Sequence, residues 1–207
     1  MTTATMARST VRGGFVITPS GGSAQSLSFQ FNPASLRRRL EPRLSGGEPQ
    51  SSAGPILYTG APVETIDLEI ELDAGDQETS ASSAASTTGI QSQLAALEVI
   101  LYPSTQQVNQ KQALLQAGTL EIGPYLAPTV IFTWGAQRLI PVKVTSCQIT
   151  EEAFDSQLVP IRARIAVTLQ VLSYSDIPPS DPAYHFFMTY QANKESQAST
   201  GYTQRSG

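Results

Sequence analysis

Residues 128–176 read PTVIFTWGAQRLIPVKVTSCQITEEAFDSQLVPIRARIAVTLQVLSYSD. Their apolar periodicity decides the fold. In the last third, Ile161, Ala163, Ile165, Val167, Leu169 and Val171 alternate with Arg162, Arg164, Ala166, Thr168 and Gln170. Alternation with period two puts one set on a buried face and the other in water, the signature of a β-strand. Upstream, Val130, Phe132 and Trp134 share a face, and Gly135 opens a turn. The next strand runs through Ile140, Val142 and Val144, after which the apolar phase moves by one residue to Cys147 and Ile149. That shift predicts a bulge near Ser146. Glu151 to Asp155 is predicted as a loop that packs one aromatic, Phe154, and Pro160 precedes the long strand. These three strands form a meander around which the rest is expected to organise.

Working outward, VETIDLEIELD at 63–73 repeats the alternating pattern, with Ile66, Leu68, Ile70 and Leu72 inward and Asp67, Glu69, Glu71 and Asp73 outward. Four acids on one strand face stand about 6.5–7 Å apart and diverge. They suit a solvent or partner face better than a metal site. Phe15, Val16 and Ile17 begin an N-terminal strand, and Leu27, Phe29 and Phe31 a second, joined by a Gly-rich loop. Arg37, Arg38 and Arg39 follow, on a segment whose spacing fits either a strand or a helix. Residues 44–62 read as a Gly, Ser and Pro loop, and 77–88 as a flexible Ser/Ala/Thr segment. Thr88, with Gln91 three residues on, is a candidate helix cap. The helix is expected at about 89–101 with Ile90, Leu94, Leu97 and Leu101 on one face. Residues 104–118 hold at least one helical turn around Lys111 to Gln116, and Leu120 to Ile122 suggest a short strand. Asp181 caps a last helix at about 182–195, with Pro182 at its first position and Tyr184, Phe187, Met188 and Gln191 on one face. The fold class is therefore mainly β with added helices. Residues 1–12 are expected as a flexible leader, 13–195 as one domain, and 196–207 as a disordered tail.

Composition excludes several function classes. The net charge is −4, and 14% of residues are charged, against roughly 25% in ordinary domains. An acidic chain lacks the basic field that nonspecific nucleic-acid or anionic-membrane binding requires. The three arginines at 37–39 have no interleaved aromatics and read as a solvated or subunit-facing edge. Cys147 is the sole cysteine, so no internal disulfide forms, and it reads as a small buried apolar group. No apolar leader and no run of about 18 apolar residues is present, so neither a signal peptide nor a membrane-inserted helix is expected. His185, the sole histidine, lies away from any nucleophile motif. Neither a G-x-S-x-G turn nor a phosphate-cradling Gly-rich loop nor metal-ligand spacing occurs. The acids at 151–155 lack the spacing of a calcium loop. No catalytic, cofactor-binding or metal-binding residues are assigned, no cofactor is expected, and an enzyme is not expected.

Several segments taken in order carry a resemblance. They are FQFNPASLRRRLEPR, VETIDLEIELDAGD, GIQSQLAALEVILYP, TLEIGPYLAPTVIFTWG and VKVTSCQITEEAFDSQLVPIRARIAVTLQVLSYSD. Together, over about residues 14–195, they resemble the tube-adaptor proteins of extracellular contractile injection systems, the phage-tail-like particles of bacteria. The resemblance implies a tube-protein-like β-barrel or two packed antiparallel sheets with a flanking helix, arranged in a hexameric ring. It implies inner tube, spike and baseplate proteins as partners, with no nucleic acid and no direct membrane insertion. Assembly would be cytoplasmic, into a particle that is released or anchored. Many relatives carry a LysM domain after the barrel. This sequence ends at Gly207 with a helix and tail, so the resemblance does not carry over the contacts that belong to LysM. The same pattern also fits a tube or baseplate protein of a tailed phage or a type VI-like system, or a non-catalytic β-scaffold binding module.

Overall fold

The computed structural model describes residues 11–45, 56–76, 89–118 and 123–202. Seven strands form one antiparallel sheet: β1 (Gly14–Thr18), β2 (Gln25–Ser28), β3 (Leu36–Glu41), β6 (Val63–Asp73), β7 (Thr129–Thr133), β8 (Leu139–Phe154) and β9 (Pro160–Val171). A two-stranded ribbon, β4 (Leu44–Ser45) with β5 (Leu57–Tyr58), stands apart. The helices are α1 (Gln91–Glu98), α2 (Thr105–Gln116) and α3 (Pro182–Gly201), with a 3-10 turn at Ala74–Asp76.

The strand order is β2-β1-β7-β8-β9-β6-β3. β9 lies between β8 and β6, and its alternation finds matching apolar partners on both sides. Val167 stands opposite Leu68 and Cys147, Ile165 opposite Ile70 and Ile149, and Leu169 opposite Ile66 and Val144. Ile66, Ile165 and Leu169 are wholly buried. Each such aliphatic side chain contributes about 1.5–3 kcal/mol on leaving water. Phe15, Phe29 and Phe132 meet at the β1–β2 end, with ring centroids 5.3 to 6.4 Å apart. Ile90, Leu94, Leu97 and Ile100 from around α1, and Phe187 and Tyr190 from α3, join the same hydrophobic cluster. Both helices therefore cover the sheet's apolar face.

The mainly β class is borne out, but the sheet does not close into a barrel, and the second sheet is only the β4–β5 ribbon. The curl is nevertheless deep. Just past β2, the Gln30 amide donates to Asp73 O (2.6 Å) and accepts from Asp73 N–H (3.0 Å). One side chain thus stands where a strand would bond to the end of β6.

The predicted bulge is present. Val144 pairs Leu169 and Ser146 pairs Thr168, leaving Thr145 as the extra residue. Its hydroxyl donates to Thr168 O (3.1 Å).

Several expectations are corrected. Glu151 to Phe154 is strand rather than loop: two further register shifts let β8 keep pairing across Glu152 and Ala153. Phe154 is consequently exposed rather than packed inside. The reversal is instead Asp155–Val159, closed by Asp155 N–H to Val159 O at 2.9 Å. β2 stops at Ser28, so Phe29 is buried but Phe31 is exposed. The segment at 36–41 is a strand. Residues 44–62 include the β4–β5 ribbon. α1 begins after Ile90, with no side-chain cap. The Ile90 N–H is satisfied by Pro160 O (3.1 Å). Because the helix ends at Glu98, Ile100 turns inward and Leu101 outward. α2 is longer than foreseen, capped by Ser104 accepting from Gln107 N–H. α3 continues to Gly201, so 196–201 is helix and not a disordered tail. Asp181 caps it by accepting from Ala183 N–H (2.8 Å), as expected. The leader at 1–10, Thr88 and the 77–88 segment, and the strand at 120–122 lie outside the described residues.

Candidate assembly surfaces

The outward face of β6 and β9 carries the charges singled out in the sequence. Because β6 pairs β9, Asp73 stands opposite Arg162 and Glu71 opposite Arg164. Arg162 grips Asp73 Oδ2 with Nε at 2.8 Å and Nη2 at 2.7 Å. Arg164 lies 3.4 to 3.7 Å from Glu69, Glu71 and Glu152. Thr168 donates to Asp67 (2.8 Å). The Gly75 backbone N–H, followed by Arg162, holds the Asp73 carboxyl below its ordinary range. The acidic strand and these two arginines are therefore cross-strand neighbours within one chain. Such exposed pairs stabilise little, typically under about 1 kcal/mol each.

Strand alternation splits the arginine run. Arg37 and Arg39 share the outer face with Asp67 and Thr65, whereas Arg38 stands opposite Ile66 on the inner side. There Arg38 donates to Glu64 Oε1 through Nε (2.9 Å) and Nη2 (2.6 Å). Tyr190 on α3 donates to the same oxygen (3.0 Å), and Lys194 reaches Oε2 (3.3 Å). Lys194 also lies 4.0 Å from the centre of the Tyr190 ring. Glu64 is buried, and this cluster fastens α3 to β3 and β6. Burial, then the Glu64 charge, pushes the Tyr190 hydroxyl up to about 12. Burial is the largest single influence on Arg38 and opposes its charge, but Glu64 and Tyr190 together outweigh it and the guanidinium pKa rises. Sequence reading missed this cluster. The signal was available, since Glu64 falls on the apolar phase of VETIDLEIELD.

Cys147 is half-buried against the core, and burial with the nearby Glu98 charge pushes its thiol pKa up, away from reactivity. His185 is exposed on α3, edge-on to Tyr184. Among the described residues no group of three or more His, Cys, Asp or Glu is placed to hold a metal ion.

What the surface does offer is unfinished sheet. β2 and β3 are the margins of the order, and β8 beyond Val142 has no strand on its outer side among the described residues. The β4–β5 ribbon exposes Leu44, Leu57 and Tyr58. α2 buries none of its residues.

The model of the contractile injection system tube protein family matches residues 18–176. The chain belongs to this family. No curated protein matches it. Membership makes this tube-family chain a structural component of a contractile injection system, one that assembles with other components of the particle. The match spans the whole large sheet from the end of β1 onward and stops before α3. Among the described residues no helix is long and apolar enough to cross a membrane.

Proposed function

We propose that this tube-family chain forms a closed ring, six copies by its resemblance to tube adaptors, that starts the inner tube and joins it to the spike at the baseplate. The role is structural, and the ring would leave a lumen for cargo. The observation that carries the proposal is the open sheet. Its two margins and the outer side of distal β8 leave backbone donors and acceptors without strand partners among the described residues. Free edges invite uncontrolled pairing unless something covers them. In a ring, one patch meets a different patch on the next copy, so closure covers both edges at once.

The adaptor role separates from that of an ordinary inner-tube subunit by what the rings do alone. Sedimentation velocity and electron microscopy of the purified chain should show single hexameric rings. Adding inner tube protein should extend one face only, and spike protein should bind the other. Rings that stack on themselves into long tubes would make the chain a tube subunit instead. A chain that stays monomeric in the presence of tube and spike proteins would remove the ring reading.

A further inference from the structure

Two apolar features sit at opposite ends of α1. At its start, the Ile90 N–H bonds to Pro160 O. Gly89, at φ +53, approaches so closely that a Cβ would lie 2.4 Å from that oxygen. This end of α1 is therefore fixed to the root of the β8–β9 hairpin, two residues from Leu158. At the other end, Ala96, Val99 and Tyr102 line an open groove of about 530 Å³, completed by Ile17, Leu27 and Leu126 among others. Among the described residues, none that lines it carries a charge. Val99 is 63% exposed, and Tyr102 and Leu126 are each 69% exposed.

The hairpin tip has the opposite shape. Leu158 is 79% exposed, with φ +63. That left-handed conformation disfavours residues with a Cβ. Large apolar surface in water and a strained backbone both work against the isolated fold, and Gly or Asn would make the same turn without either. Strain retained at an exposed position points to a use for the side chain. Asp155, the tip's carboxylate, accepts from the N–H groups of Gln157 (2.8 Å) and Val159 (2.9 Å). The tip thus presents an apolar knob beside a carboxylate that is already hydrogen-bonded within the turn. Seating it in an uncharged groove leaves no charge unpaired.

Knob and groove do not meet within one molecule. They are held at the two ends of α1, and Ile90 to Val99 spans about 13 Å along a helix axis. We infer that the Leu158 tip of one copy seats in the Val99 groove of the adjacent copy. The contact is heterologous and repeats head to tail, so it fits a ring, and it rests on the ring reading above. Five tip residues cover far less than the roughly 800 Å² per partner of a standard interface. The contact therefore sets register beside edge pairing rather than holding the ring alone.

Mixing a Leu158→Cys chain with a Val99→Cys chain, both also Cys147→Ala, tests the contact. Mild oxidation should give disulfide heterodimers in the mixture far above the homodimers of either chain alone. Leu158→Gly gives an independent readout. It relieves the backbone strain and removes the knob, so Tm should rise while self-association weakens about tenfold. A residue serving only its own fold would not split those two readouts. Ala96→Trp, which fills the groove, should weaken self-association similarly. Rings that form as tightly in both variants, with no heterodimer excess, overturn the contact and leave the ring reading intact. A wild-type chain that stays monomeric even with tube and spike proteins present overturns both.

Discussion

β9 and α2 have the same length, 12 residues each, and opposite construction. β9 alternates almost without fault, and Ala163, Ile165, Val167, Leu169 and Val171 are all buried between matched neighbours. α2 buries none of its side chains. It is held by its Ser104 cap, by Gln107 donating to Leu126 O (3.1 Å), and by Lys111, which donates to Gly123 O (3.3 Å) and lies over the Tyr125 ring. A short helix without a buried face is marginal in water. The contrast separates the two tasks of the chain. The sheet's centre finds its partners within the chain, while the sheet margins, α2, the β4–β5 ribbon and the hairpin tip present surface beyond what the fold uses.

Substitutions should respect that division. Val167→Asp would bury an unpaired carboxylate between Leu68 and Cys147, costing more than about 4 kcal/mol. The variant should be insoluble on expression; soluble protein with a native circular dichroism spectrum would show the strand phase to be misread. Next in size comes Arg38→Met, which leaves the buried Glu64 with only Lys194 and Tyr190 and should cost about 2–4 kcal/mol in urea unfolding. Its neighbour Arg37→Met, on the outer face, should stay within about 0.5 kcal/mol. Equal losses at both sites would erase the distinction between the two faces of β3.

Tyr190 adds a pH dependence. Its hydroxyl pKa, ordinarily 10, is raised to about 12 in the folded chain. Between those values the unfolded chain ionises first. The stabilising contribution is therefore whole below pH 10 and is lost as pH rises towards 12. Tyr190→Phe should cost about 1 kcal/mol at neutral pH through the lost hydrogen bond. It should also flatten the fall in Tm across that alkaline window, and an unchanged slope would assign the fall to other groups. The smallest effect on the isolated chain is expected at α2: Leu115→Glu should change stability by less than about 0.5 kcal/mol. A large loss of Tm there would mean that α2 is part of the core after all.

The strands were legible wherever one face is apolar and the other polar, as in β6 and β9. The bulge at Thr145 was legible because the apolar phase visibly slips between Val144 and Cys147. The continuation of β8 through Glu151 and Glu152 was not, because two further register irregularities leave the apolar period there without a fixed phase. α2 was seen only in part, since a helix with no buried stripe has no period to read. Neighbour relations such as β1 beside β7 and β3 beside β6 were hidden because non-local pairing leaves no local mark. The Glu64 cluster depends on such pairing too: Arg38, Glu64, Tyr190 and Lys194 come together only when α3 crosses the sheet. The unpaired sheet margins, on which the ring proposal rests, likewise appear only once the strand order is known.

An electron-microscopy map of the chain assembled with inner tube and spike proteins tests the account most directly. It should show a closed ring in which a neighbouring copy covers the outer side of β8 beyond Val142, while the Phe15–Phe132 core and the Glu64 cluster are unchanged. A ring whose copies touch only through the charged outer face of β6 and β9, with distal β8 left in solvent, would contradict it.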